Sequence, residues 1–453
     1  MQSLSKNIIS TFLTQVPAIL LSIIAGIFIT RLLGPEGKGV FSVYAANIEI
    51  LVLLFSFGTE LGIVFFISNK KINKYKIQAI AISVLLISII LNFILIFSIQ
   101  SEVIFVKKYD DLFYKAYLFF FFSMSFSNSI MIAFLKAKKR FNRINTVSII
   151  SAILNLSSFS ILFYLVNYNL VDNSISLIFI YSIALLSINS VLYTVFFTRI
   201  CKIKPNFRLS FKNEILPFYK FSFMGFLGMI INFLNYRLDI WFVQYFKGSF
   251  QLGLYALAVN FAQLVMMISK IISSVMMPYL AENNVKQRRN YFLQYSRINF
   301  AIIFFIIIIL FFISDILIIF LYGENFKNSI NPFKILIIGM IFTGASQLFS
   351  TYLSSDGRND LCLYTHITGL FFTLILDALL IPRYGIIGSA YATFFSYVSI
   401  FSVYSGILVF KYKYTFIDLF IIKKEDFNSK YFEHLLFKKT FIGKKINEWI
   451  QRN

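Results

Sequence analysis

From Ile298 to Ser314 the chain carries no charged residue, and Ile302–Ile313 is unbroken aliphatic and aromatic sequence. A membrane β-strand alternates apolar and polar residues over ~10 positions, so this run cannot be one. It suits a helix crossing the hydrocarbon core, which takes ~20 residues. The pattern recurs along the whole chain. It predicts spans near 7–30, 41–67, 78–99, 113–135, 147–166, 175–198, 217–246, 254–277, 298–321, 333–353, 361–381 and 386–410. Charged residues make up 14% of the 453, against ~25% in a soluble domain. The expected fold class is therefore an all-α membrane protein of about twelve transmembrane helices.

The formal net charge of +22 raises the question of nucleic acid, but its distribution points to the membrane. Basic residues gather in alternate short loops: Lys70, Lys71, Lys74 and Lys76; Lys136, Lys138, Lys139, Arg140 and Arg143; Arg199 to Lys220; Lys286, Arg288, Arg289 and Arg297. The opposite loops hold few, among them Arg31, Lys38, Lys247 and Arg383. By the positive-inside rule both termini face the cytoplasm. Membrane lipids are the expected surroundings, and no nucleic acid partner is expected. The first apolar run lacks a small-residue cleavage site and reads as a retained helix. Cys201 and Cys362 fall on the cytoplasmic side, where a disulfide is not expected. His366 has no Cys or His at ligand spacing, so no metal is expected. No GxxxxGK[ST] loop occurs, and no loop is long enough for a soluble catalytic domain. The chain does not read as an enzyme. Gly58 and Gly62 form a small-xxx-small pair suited to close helix packing. In the basic tail, Tyr431–Ile450 reads as a helix resting on the inner leaflet.

The sequence also repeats. Gly34–Gly39 followed by Val-Phe-Ser-Val-Tyr-Ala is echoed by Gly248–Gly253 followed by Leu-Tyr-Ala-Leu-Ala, 214 positions later. Leu135–Arg140 is echoed by Leu353–Arg358 at 218. Six spans followed by six in the same orientation is a parallel repeat, with the substrate path between the halves. The expected domains are an N-terminal lobe at 1–212, a C-terminal lobe at 213–410 and a tail at 411–453.

Several segments together resemble the O-antigen and capsular polysaccharide repeat-unit flippases of the multidrug/oligosaccharidyl-lipid/polysaccharide (MOP) exporter superfamily. They are Arg31-Leu-Leu-Gly-Pro-Glu-Gly-Lys-Gly39, Arg237-Leu-Asp239, Gly253-Leu-Tyr-Ala-Leu-Ala258, Pro278, Leu321-Tyr-Gly323 and Ile381-Pro-Arg-Tyr-Gly385. The resemblance covers about Leu4 to Lys411. It implies two six-helix lobes related by a pseudo-twofold axis, V-shaped around a central cavity and working by alternating access. It implies a bacterial inner-membrane location and an undecaprenyl-pyrophosphate-linked oligosaccharide as cargo. A polysaccharide polymerase and a chain-length regulator are the protein partners such a role would bring. A cation-coupled multidrug exporter of the same superfamily and an O-antigen polymerase are the competing readings.

Moving a sugar and a pyrophosphate through hydrocarbon needs hydroxyl and amide groups and a few cations. It needs no nucleophile, metal or organic cofactor, although H+ or Na+ coupling is open. Charges inside spans cost roughly 2.5–3.5 kcal/mol each on insertion scales, so they face protein or water. Arg237 and Lys270, with Arg31, are the expected contacts for pyrophosphate. Gln263, Asn232 and Asn235 are the expected polar contacts. Glu60, Asp239 and Glu49 are expected as ion-coupling groups or counter-charges. The competing account makes Arg237 and Lys270 static partners of Glu60, Asp239 or Asp377. Helix phase predicts that Arg237 lies with Trp241 and Gln244, that Glu49, Ser56 and Glu60 share one stripe, and that Lys270 lines up with Gln263, Met266/Met267 and Ser273/Ser274. Asp315 and Asp377 read as interfacial charges.

Overall fold

In the computed structural model, which describes residues 3–69, 72–98, 112–172, 174–201, 203–282, 285–421 and 423, nine helices are long and apolar enough to cross a membrane. No strand occurs among the described residues, and the chain is a multi-pass, all-α membrane protein. The helices are α1 Ser3–Ser56, α2 Thr59–Ser68, α3 Lys74–Ser98, α4 Leu112–Ala137, α5 Phe141–Asn167, α6 Ile175–Ile200, α7 Leu216–Gln263, α8 Met266–Glu282, α9 Val285–Tyr322, α10 Ile330–Ser355, α11 Asn359–Gly406 and α12 Phe416–Phe420.

Three helices carry two expected spans each, because the chain turns at a glycine without leaving the helical hydrogen-bond ladder for long. These joints are Gly34 in α1, Gly248 in α7 and Gly385 in α11, with φ of 61°, 76° and 61°. An L side chain resists that region, so glycine is the residue that fits. Pro35 follows the first joint, at a position where its missing N–H costs nothing. The second expected span is broken again: Phe57 and Gly58 take φ of 46° and 69°, which ends α1 and starts α2.

The chain divides into two compact units. The first comprises Pro17–Ala256 with Leu321–Phe326. Its core packs Ile63, Phe66, Ile77, Phe122, Phe126, Phe134 and Phe218. A second hub sets Tyr44 edge-on to Phe179 at 5.5 Å, while the Tyr114 and Tyr117 hydroxyls meet Ser176 and Ser182 at 3.3 and 3.2 Å. Its basic loops converge at one end. Lys138 Nζ donates to the Ile200 carbonyl at 2.8 Å, the Asn206 N–H donates to the Tyr75 carbonyl at 3.0 Å, and Lys76 pairs with Glu214 at 2.7 Å.

The second unit holds Leu257–Phe320 and the described residues from Lys327, with 3–16. Phe292 stacks on Tyr352 at 4.4 Å. Arg288 pairs with Asp356 at 2.8 Å, and the Tyr412 hydroxyl donates to the same carboxylate at 2.7 Å. The segment after α11 is tied to α9 by the Ser296 hydroxyl on the Leu419 carbonyl and Arg297 on the Asp418 carbonyl. Cys201 and Cys362 are both free and buried, one in each unit's core. Burial holds the Cys201 thiol above the usual cysteine range. The units divide the chain at Ala256/Leu257; the lobe boundary at 212/213 is a separate expectation. The tail helix at 431–450 lies outside the described residues.

The repeat is visible in the backbone. Gly34 (φ 61°, ψ −177°) and Gly248 (φ 76°, ψ 176°) share one conformation. The turns ending at Arg140 and Arg358 close with the same bond, from their N–H to the carbonyls of Leu135 and Leu353, both 2.9 Å. Within the first unit the related segments cross each other. A Cβ on Gly39 would overlap the Ser249 carbonyl, and one on Gly253 would overlap the Pro35 carbonyl. Each contact is the other shifted by 214 positions, which is what a local twofold requires.

Candidate functional site

Several polar groups of the first unit meet where the second half of α1 lies along α7. Arg237 and Trp241 are one turn apart on α7 and so share a face. Glu49 Oε2 lies 3.3 Å from Arg237 Nε. The Trp241 indole N–H donates to Asn47 Oδ1 at 2.8 Å, and Gln244 bonds Ser249 at 3.1 Å. Asn47 is buried, and it is a member of the site that the sequence reading missed. Nothing in helical periodicity marks it, since its role depends on the tryptophan across from it. The expected grouping of Arg237 with Trp241 and Gln244 holds. The carboxylate beside Arg237 is Glu49, rather than Glu60, Asp239 or Asp377.

The expected stripe of Glu49, Ser56 and Glu60 does not form. The left-handed pair at Phe57 and Gly58 interrupts the helix between Ser56 and Glu60, so the helical phase is lost. Glu60, in the first turn of α2, accepts from the Ser129 hydroxyl at 2.9 Å on α4. Its second oxygen is buried with no hydrogen-bond partner among the described residues. Asp239 is buried and accepts from the Tyr255 hydroxyl at 2.5 Å. Asn235 is buried on the same helix, and Asn232 is exposed. Arg31 is exposed, and its Nε donates to the Leu321 carbonyl at 2.8 Å. Gly58 and Gly62 admit α7, since a Cβ on either would strike Ser222.

Lys270 belongs to the second unit. It is exposed on α8 and has no ion pair among the described residues. Within α8, Met266/Met267 and Ser273/Ser274 lie three and four residues from Lys270, the expected phase,. A turn at Leu264–Val265 separates half-exposed Gln263, at the end of α7, from that helix. Ser273 and Met266 are buried, and Ser274 is the residue exposed beside Lys270. Behind Lys270 the Ser269 hydroxyl donates to Asn299 Oδ1 at 3.0 Å, and Asn299 Nδ2 donates to the Gly344 carbonyl at 3.1 Å. Asp315 is exposed and paired with Lys334 at 2.6 Å. Asp377 is fully buried and not the interfacial charge expected, because its face of α11 turns toward the unit's interior. His366 shares a 3.4 Å contact with the Tyr404 hydroxyl. Among the described residues no three His, Cys, Asp or Glu are grouped to hold a metal.

The family model for polysaccharide biosynthesis protein matches residues 4–284, and the MatE model matches 226–379. No curated protein matches. Among solved structures, the lipid II flippase MurJ in an inward closed conformation is similar at a TM-score of 0.66 and 17% identity, over 90% of this chain and 89% of that one. An inward-facing multidrug resistance MATE family transporter of the MOP superfamily gives 0.63 and 14%, over 87% and 96%. The Vibrio cholerae MATE transporter VcmN gives 0.59 and 15%, over 90% and 97%. At these identities the likeness is one of fold.

Proposed function

We propose that this chain, which belongs to the polysaccharide biosynthesis protein family, is a flippase for undecaprenyl-pyrophosphate-linked oligosaccharide repeat units. It moves them from the cytoplasmic to the periplasmic leaflet of the bacterial inner membrane, for O-antigen or capsular polysaccharide assembly. The observation that carries the reading is Arg237, a guanidinium within an apolar helix whose Nε is held at 3.3 Å by Glu49. A cation kept in a span in spite of its cost marks a path for charge. The terminal nitrogens of arginine suit phosphate oxygens two at a time. Arg237, Lys270 and Arg31 draw the pyrophosphate, while Asn232, Asn235 and Gln263 offer amides to sugar hydroxyls. Glu49 is the counter-charge of the empty site. Glu60 and Asp239 serve H+ or Na+ coupling. The two lobes, 1–212 and 213–410, alternate access while the lipid tail stays in the bilayer.

The MatE match over 226–379 favours a second reading, a cation-coupled exporter of drugs. Cationic drugs would be repelled by Arg237 and Lys270, which sets this reading second. Arg237→Ala is expected to abolish surface polysaccharide with the protein still in the membrane, and Arg237→Lys to restore part of it. Wild-type polysaccharide in the Arg237→Ala strain, scored by gel and by membrane immunoblot, overturns the reading. Drug accumulation that rises in that strain while polysaccharide is unchanged favours the exporter.

A further inference from the structure

Between the end of α6 at Ile200 and the start of α7 at Leu216, an apolar residue is followed by a cation at regular four-residue intervals: Ile203-Lys204, Phe207-Arg208 and Phe211-Lys212. All six side chains are exposed, Phe207 at 59% and Phe211 at 68%. The backbone beneath them is pinned. The Lys204 N–H donates to Gln78 Oε1 of α3 at 3.1 Å, and the Asn206 N–H donates to the Tyr75 carbonyl. Asn206 Oδ1 accepts from the Arg208 N–H at 3.0 Å, and Leu209 packs on the unit's core. Glu214 accepts from the Ser210 N–H and from Lys76. The segment therefore lies as a strap against the first turn of α3, its backbone held inward and its phenylalanines and cations left outward.

Two observations say what those side chains meet. Both ends of the strap run into helices long and apolar enough to cross a membrane, which sets it at headgroup depth. Its exposed apolar surface continues into Leu216, Phe221, Phe223 and Met224 on the first turns of α7. The charge around it also has one sign. Among the described residues of 72–76, 136–143 and 199–220 the one carboxylate is Glu214, which Lys76 already holds. No ion pair engages Lys204, Arg208 or Lys212 among the described residues. The basic end of the second unit differs, since Arg288, Arg358 and Lys423 each meet an aspartate there.

We propose that this strap binds anionic lipid of the cytoplasmic leaflet, the side on which the charge bias sets it. Phe207 and Phe211 enter the boundary between headgroups and acyl chains. Lys204, Arg208 and Lys212 hold the phosphates of the lipids beside them. An acidic protein would answer the cations alone, whereas the phenylalanines are continuous with the apolar start of a membrane helix. The site uses none of the residues assigned to cargo, so it stands or falls apart from the transport reading.

The test uses full-length Phe211→Trp protein in vesicles of mixed phosphatidylcholine and phosphatidylglycerol. Bromine is carried on the acyl chains of one lipid or of the other, at equal total bromine. The emission gained over wild type is expected to be quenched about twofold more strongly when phosphatidylglycerol carries the bromine, because the cations gather that lipid around the strap. High salt should erase the preference in the same protein, which tests the charge without a further substitution. Adding Lys204→Gln, Arg208→Gln and Lys212→Gln should erase it too, with an unchanged melting temperature, while Lys204→Arg with Lys212→Arg should keep it. Equal quenching by the two brominated lipids overturns the proposal, as does a preference that survives both salt and the glutamine changes. If bromine on neither lipid quenches the emission, the strap faces water or an acidic protein, and the proposal falls.

Discussion

Asn299 shows how much one buried amide can hold in this molecule. It accepts from Ser269 on α8 and donates to the Gly344 carbonyl on α10, with no exposure to solvent or lipid. Asn299→Leu would leave a hydroxyl and a carbonyl unsatisfied in an apolar interior. The expected loss is about 1–2 kcal/mol, given the modest worth of polar contacts between membrane helices. A melt in detergent should drop by several degrees, and Asn299→Gln should not rescue it, because the longer side chain misplaces both bonds. An unchanged melt would refute the role. Arg237 and Trp241 could be grouped from their spacing alone, since residues four apart share a helical face. Asn47 could not, because its partner lies on a different helix and no local pattern points to it.

The elements are organised by their glycines. At the crossing of the two repeated segments, Gly39 and Gly253 each meet a backbone carbonyl with no room for a side chain. Backbone cannot step aside as a flexible side chain can, so Gly253→Val is expected to force the helices apart. Protein in the membrane should fall severalfold and the melt should broaden. Gly26→Ala is the control: nothing lies within 4 Å of a Cβ there, and alanine should be neutral or better in a helix. Equal yields of the two variants would refute the crossing. The same logic explains where helix phase misled. Reading Glu49, Ser56 and Glu60 as one stripe assumes an unbroken helix, and the left-handed pair Phe57–Gly58 rotates everything after it. A glycine in an apolar run is as compatible with tight packing as with a break. Here Gly58 does both, since Ser222 closes on it from α7.

At the scale of the whole molecule, the basic loops gather at one end of each unit. If that end is cytoplasmic, as the charge bias expects, Lys139→Cys should react with a membrane-impermeant maleimide only after the cells are opened. Asn169→Cys, at the opposite end of α5, should react in intact cells. Cys201 and Cys362 are buried and should contribute little background. The reverse pattern would overturn the topology. The sequence by itself determined the helical membrane class, the number of spans, the repeat and the bias of charge. Those follow from hydrocarbon, which excludes charge and forces each span to satisfy its own backbone. Only the tertiary structure decided that Glu49 faces Arg237, that Glu60 turns to Ser129 and that Asp377 is buried. Which charges meet depends on how one helix lies against another, and the bends at Gly34, Gly58 and Gly248 reset that alignment in a way no count along the chain can follow.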